Sequence, residues 1–250
     1  MDFDITTYLR FIKTIKQCGY HFQTFDGFLT NPKERSIILR HDVDLKPQNS
    51  LHFAQIQAKN NIKGTFYFRS VGESWNPKII TEIYNLGHEV GYHYESLTTA
   101  KGDIDNAIED FRINLKKLRS LVPVNTICMH GSPLSKYDSK DLWNLFDYRK
   151  FDLNGEPYFD LNFNEVLYLT DTGRTWYNRK ISVRDHIQTD YKFQFKSTNE
   201  IIDAFNRNIL PDQIMFTFHP QRWTDNPISW AKELVVQNLK NQIKKLVVKR

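Results

Sequence analysis

Ile37-Ile38-Leu39-Arg40-His41-Asp42-Val43-Asp44 passes from an apolar run straight into a pair of acids. The apolar part reads as a short buried strand, over Ser36 to Arg40. Asp42 and Asp44 follow one residue apart, so at a strand end both point to the same side and can face one cleft. Carboxylates this close repel each other unless a cation or a shared proton relieves them. The plainer alternative has Asp44 capping a helix around Pro47 to Asn60 and Asp42 standing exposed.

Further short strands are expected at Thr65 to Arg69, Glu89 to Tyr94, Asn125 to Met129, Val166 to Thr170 and Gln213 to Phe218. Helical patterns separate them, which is the order of βαβ units and a mainly parallel sheet. The clearest helix runs from Asp103 to Leu121, where Ile104, Ile108, Phe111, Leu115 and Leu118 recur at steps of three and four. Another begins after Asn226, a good cap, with Pro227 in its first turn, and should bury Leu239, Ile243 and Leu246. Between Phe151 and Gln194 the pattern loosens into aromatic segments such as Pro157-Tyr158-Phe159-Asp160, where short strands and long loops are expected.

In an α/β barrel the functional residues follow the strands. Four predicted strands end in such residues: His41, Asp42 and Asp44 after the first, His93 and Glu95 at the third, His130 after the fourth, and His219 after the last. A single inward His is usually a satisfied core residue, but four equivalent strand ends are not filled this way by chance. Asp42, Asp44, His93 and either His130 or His41 make a nitrogen and oxygen set suited to zinc or another divalent transition metal. In such a site the metal acidifies a bound water and polarises a carbonyl, a carboxylate takes the proton, and an imidazole protonates the leaving group.

The order of these motifs resembles the polysaccharide deacetylase family, also called the NodB-homology family, whose members are metal-dependent hydrolases acting mostly on acetylated sugars. The resemblance runs from about Ile37 to His219. It implies an irregular (β/α)7-type barrel. Leu39 to Asp44 looks like the first motif, with Asp42 as catalytic base and Asp44 as metal ligand, in an Asp-Val-Asp form similar to that of a sugar-lipid deformylase branch. Gly64 to Phe68 looks like the family's second strand. Gly87-His88-Glu89-Val90-Gly91-Tyr92-His93 looks like the lead into the second motif, whose His, here His93, binds metal. The family's second metal His falls four residues later, where this chain has Leu97, so the third ligand must come from His130, with Glu95 and His41 as alternatives. Met129-His130-Gly131-Ser132-Pro133 stands where the family carries an Arg that steadies the base. Phe216-Thr217-Phe218-His219 looks like the last motif, making His219 the general acid, and Asp171, Trp176 and Trp223 fall where the substrate would be lined.

The expected activity is removal of an acyl group, N-acetyl first, from an amino sugar or a surface-polysaccharide precursor, nucleotide- or lipid-linked. The alternative is a barrel that has lost its metal with the second His and binds carbohydrate or a protein partner without turnover. Length and 40% apolar content suit one domain over residues 1–250. The formal charge of +5 resides in Lys240, Lys244, Lys245, Lys249 and Arg250, which leaves 29 basic against 29 acidic residues elsewhere. That tail reads as a solvated helix face rather than a nucleic-acid site. The start of the chain has no secretory pattern and no apolar run spans a bilayer, so a cytoplasmic protein is expected. Cys18 and Cys128 are too few for a disulfide framework.

Overall fold

The computed structural model describes residues 1–132, 135–176 and 187–247; Pro133 of the fourth strand's motif and the expected burial of Leu246 lie outside the described residues. Seven parallel strands form one curled sheet: β1 (His21–Gln23), β2 (Ser36–Val43), β3 (Thr65–Phe68), β4 (Glu89–Tyr94), β5 (Ile127–Met129), β6 (Leu167–Thr170) and β7 (Gln213–Phe218). Their order is β5-β4-β3-β2-β7-β6, with β1 paired to the first half of β2. This is the irregular (β/α)7-type barrel that the sequence predicts, open between β5 and β6. Across that opening Gly155 makes a single parallel bridge to Thr126, so the segment after β5 returns to line the gap.

Nine helices are described: α1 (Ile5–Gln17), α2 (Phe25–Thr30), α3 (Pro47–Lys59), α4 (Pro77–Asn85), α5 (Ser96–Thr99), α6 (Ile104–Arg119), α7 (Pro157–Asp160), α8 (Thr198–Asn206) and α9 (Pro227–Val247). Their starts follow capping chemistry, with side chains of Asp4, Thr24, Asn76, Asp103 and Ser197 accepting from backbone N–H groups of the first turn. Lys46 precedes α3 without a side-chain cap, so Asp44 is not spent on capping. The expected helix at Asp103 to Leu121 is α6, which buries Ile108, Phe111, Leu115 and Leu118. Pro157 to Asp160 is a helical turn rather than an extended segment, because Glu156 caps it through the Tyr158 N–H.

Strand parity separates two apolar layers. Ile37, Leu39, Val43, Phe66, Phe68, Val90, Tyr92, Phe216 and Phe218 face the helices and form the larger core. The alternate residues face the barrel interior, where Ile38, Tyr67, Cys128 and Met215 meet Phe25 and Phe28 of α2, the helix that plugs the amino end. Gly91 belongs to this packing, since a Cβ there would meet the Tyr67 ring at 2.3 Å. Above that plug, towards the carboxyl ends, the same inward rows change from apolar to charged.

Candidate metal centre and active site

On β2 the inward row continues as Ile38, Arg40, Asp42 and, just past the strand, Asp44. Asp42 is buried, and Arg40 holds both its oxygens, Nε at 2.8 Å and Nη2 at 2.7 Å. This bidentate fork fixes the plane of the carboxylate. Sequence reasoning assigns Arg40 no role. The two-residue spacing that groups Asp42 with Asp44 reaches it as well.

Asp44 lies at the centre of three imidazoles. Its Oδ1 is 3.7 Å from His93 Nε2 and 3.6 Å from His130 Nε2, and its Oδ2 is 3.8 Å from His219 Nε2. Each ring is oriented through its other nitrogen. His93 Nδ1 meets the Cys128 carbonyl at 2.9 Å, His130 Nδ1 meets Glu95 Oε2 at 2.8 Å, and His219 Nδ1 meets Asp171 Oδ1 at 2.5 Å. All three therefore turn Nε2 into the same space, as histidines do when a partner behind the ring aims the front nitrogen at a metal or substrate.

Electrostatics matches that placement. Burial pushes the His93 imidazolium well below the ordinary histidine range, with His130 and Arg40 adding to it, so the ring is neutral and has a lone pair to donate. Burial works against the Asp44 carboxylate, but His130, His219 and His93 outweigh it and hold its pKa low. Glu95 is likewise opposed by burial and drawn down to about 2 by His130 and Arg69, whose guanidinium holds it through Nε at 2.9 Å and Nη2 at 2.7 Å. Behind His219, Asp171 is fully buried and accepts from Arg222 Nη1 at 2.9 Å and Trp223 Nε1 at 2.7 Å; its pKa sits at about 2, against burial, because His219 and Arg222 favour the anion.

Two separations at Asp44 suit a divalent cation. Two ligands about 2.1 Å from a tetrahedral metal stand about 3.4 Å apart, close to the separations of Asp44 Oδ1 from His93 and His130. Asp44 Oδ1 is buried and has no hydrogen-bond partner among the described residues, which is costly for an anionic oxygen unless something else satisfies it. Among the described residues, the group whose donor atoms all lie within 4.8 Å of one another is a different one, Asp42, His93 and Cys128. There a cation would contend with Arg40, which already occupies both oxygens of Asp42.

Several expected positions lie elsewhere. His41 has the opposite parity and faces the helices, stacked 4.1 Å from Phe66 with Nδ1 on the Thr65 carbonyl and Nε2 on Gln57. Burial drives its pKa to about 3, and it is not a ligand. Glu95 supports His130 from behind. Leu97 is 4% exposed and packs in the helix-facing core, so α5 offers nothing to the site. Trp176 and Trp223, expected against substrate, are 4% and 1% exposed; they pack on Phe3 and Phe218, leaving no ring face for a sugar. Among the described residues the Asp171 carboxylate meets His219, Arg222 and Trp223.

No protein-family profile matches the chain, and no curated protein matches it. Among solved structures it is similar to a pseudoenzyme of the CE4 family from Bacillus anthracis, at 13% identity and a TM-score of 0.46, over 86% of this chain and 63% of that one. The chain thus spans less than two thirds of that structure's length. It is also similar to the Xyl-CE4 domain of a multidomain xylanase from the hindgut metagenome of Trinervitermes trinervoides, at 13% identity, TM-score 0.43, over 84% and 85% of the two chains. A family 4 carbohydrate esterase from Streptomyces lividans, solved in complex with acetate, is similar at 12% identity and TM-score 0.40, over 82% and 88%.

Proposed function

We propose that this chain is a metal-dependent hydrolase that removes an acyl group, acetyl in the first instance, from an amino sugar or a polysaccharide precursor. One observation carries the reading: an unpartnered, buried Asp44 Oδ1 faces the Nε2 atoms of His93 and His130 at ligand-to-ligand distance. Asp44, His93 and His130 would hold the cation, zinc being the metal best suited to two imidazoles and a carboxylate. When bound, the ion supplies Lewis acidity to the acyl carbonyl and acidifies a water.

The remaining steps belong to the chain. Asp42 Oδ2 is 3.6 Å from His93 Nε2, beside the metal set, and Arg40 fixes it in plane, so it is placed to accept the proton of the attacking water. Across Asp44 stands His219, with its Nε2 open to the site and its Nδ1 tied to Asp171. That anion stabilises the imidazolium, and His219 delivers the proton to the departing nitrogen. The water oxygen adds to the acyl carbon as Asp42 takes its proton, and the C–N bond then breaks as His219 protonates the nitrogen, releasing the acid and the amine. The vacancy at Leu97, which favours a barrel without turnover, is made good by His130 on a neighbouring strand.

The test measures metal content of the purified protein and acetate release from N-acetylated amino sugars and their oligomers. Asp42→Asn and His219→Ala should each lower kcat about 10²- to 10⁴-fold while metal is retained. Equal rates in all three proteins would remove both roles, and stoichiometric metal with no release from any acylated sugar would make the chain a binding barrel.

A further inference from the structure

Helix α9 is built inside out. The sequence predicts that it buries Leu239 and Ile243; instead they are 61% and 55% exposed, in one row with Val235 at 59% and Ile228 at 81%. Steps of seven, four and four along the helix keep these four side chains on a single face. On the side towards the body Trp230 and Leu234 are half-buried, and the described residues that are fully buried are polar. Gln237 and Asn241 are buried, Gln237 Nε2 donating to Asn241 Oδ1 at 2.8 Å and Asn241 Nδ2 to the Gly173 carbonyl at 2.9 Å. Trp230 Nε1 donates to the Asp2 carbonyl at 2.7 Å, and Arg174 Nη1 to the Trp230 carbonyl at 3.1 Å. A helix fastened by polar bonds with its apolar face outward has that face free for something else.

Charge narrows the occupant. Residues 1–226 carry equal numbers of acidic and basic groups, whereas residues 227–250 hold six basic residues against Glu233 alone, so the whole formal charge of +5 belongs to this segment. Lys232 lies in the apolar row, Lys240 beside it, and both are exposed. A second copy of the helix would satisfy the apolar row but bring two cationic segments together. A nucleic acid would satisfy the charge and leave the apolar row in water. A bilayer surface with anionic headgroups satisfies both at once.

We propose that α9 docks this protein on an anionic lipid surface, with Ile228, Val235, Leu239 and Ile243 entering the interface and the lysines meeting headgroup phosphates. The helix lies flat, since no described helix is long and apolar enough to cross a membrane. Its inner side is tied at Gly173, two residues beyond Asp171, so the docked surface is one helix away from the segment that orients His219.

Co-sedimentation of the full chain with vesicles tests this. Phosphatidylcholine vesicles containing about one third phosphatidylglycerol should carry the protein down, pure phosphatidylcholine should not, and about 0.5 M salt should release it. Leu239→Glu with Ile243→Glu, and separately Lys232→Glu with Lys240→Glu, should each lower the bound fraction about tenfold with an unchanged melting temperature, because all four positions are exposed. Failure to sediment with anionic vesicles, or equal sedimentation with neutral ones, overturns the proposal. So does a dimer in light scattering that Leu239→Glu converts to monomer, which would assign the face to a second copy. The charge variant and the salt arm stand if the double glutamate variant fails to fold, and none of these readouts depends on acyl hydrolysis.

Discussion

At the scale of single residues, the site depends on what stands behind each imidazole. His130 is the least buried of the three rings, and its orientation comes from Glu95, which Arg69 clamps in turn. Removing such a support usually costs 10- to 100-fold in metal affinity. Glu95→Ala should therefore weaken zinc binding by about that factor in a calorimetric titration, with activity recovering as zinc is raised; unchanged affinity would mean that His130 is not a ligand. The residue pattern was largely readable from the sequence, for a geometric reason: alternation along β2 assigns Asp42 and Asp44 to one face. The same alternation assigns His41 to the other face and Arg40 to the first, so both departures from expectation were implicit in the spacing. The two tryptophans were not readable, because the packing that buries them on Phe3 and Phe218 joins the amino terminus to the last strand.

At the scale of elements, the weak point is the open edge between β5 and β6, closed by the returning segment at Gly155 and Glu156. Glu156 is fully buried there, its Oε1 accepting from the Met129 N–H at 3.0 Å and its Oε2 from the Tyr158 N–H. Burial pushes its pKa up to about 7, against the pull of those hydrogen bonds and of Arg40 and Lys140. The folded state then holds this proton over a range where the unfolded chain, near 4.5, has released it. Stability should fall as pH rises from about 4.5 to about 7, by about 3 kcal/mol if the whole shift is realised, and level off above. Glu156→Gln removes that slope while leaving one backbone N–H short of an acceptor, at a cost of about 1–3 kcal/mol. In urea unfolding the variant should be the weaker protein at pH 5 and should close most of the gap by pH 8; a gap that does not change with pH would show that Glu156 does not carry the proton. The strands of this edge were readable as apolar runs, but its closure was not, because a lone bridge and a capped helical turn leave no periodic trace. The exposed row on α9 was misread for a related reason: periodicity says that a helix has an apolar face, and only the body it rests on says which way that face looks.

At the scale of the whole molecule, the fold was legible because short buried strands alternate with amphipathic helices, and the site because four of the strands end in residues that a core would not choose. The convergence itself is a property of the curled sheet. Asp44, His93 and His130 come from β2, β4 and β5, and β3 lies between the first two, so a cation shared by them, as proposed, would tie together strands that are not all neighbours. Such a clasp acts on the native state alone, since the unfolded chain separates these donors by 86 residues between Asp44 and His130. Zinc at about 100 times its dissociation constant should then stabilise the protein by about 2.7 kcal/mol. For a chain of this size that raises the melting temperature by about 5–10 °C, and a chelator should reverse it. His130→Ala and His93→Ala should both abolish the shift, whereas Asp42→Asn should retain most of it, because Asp42 is already engaged by Arg40. A zinc shift that survives His130→Ala but vanishes with Asp42→Asn would move the centre to Asp42, His93 and Cys128, and with it the assignment of base and ligand.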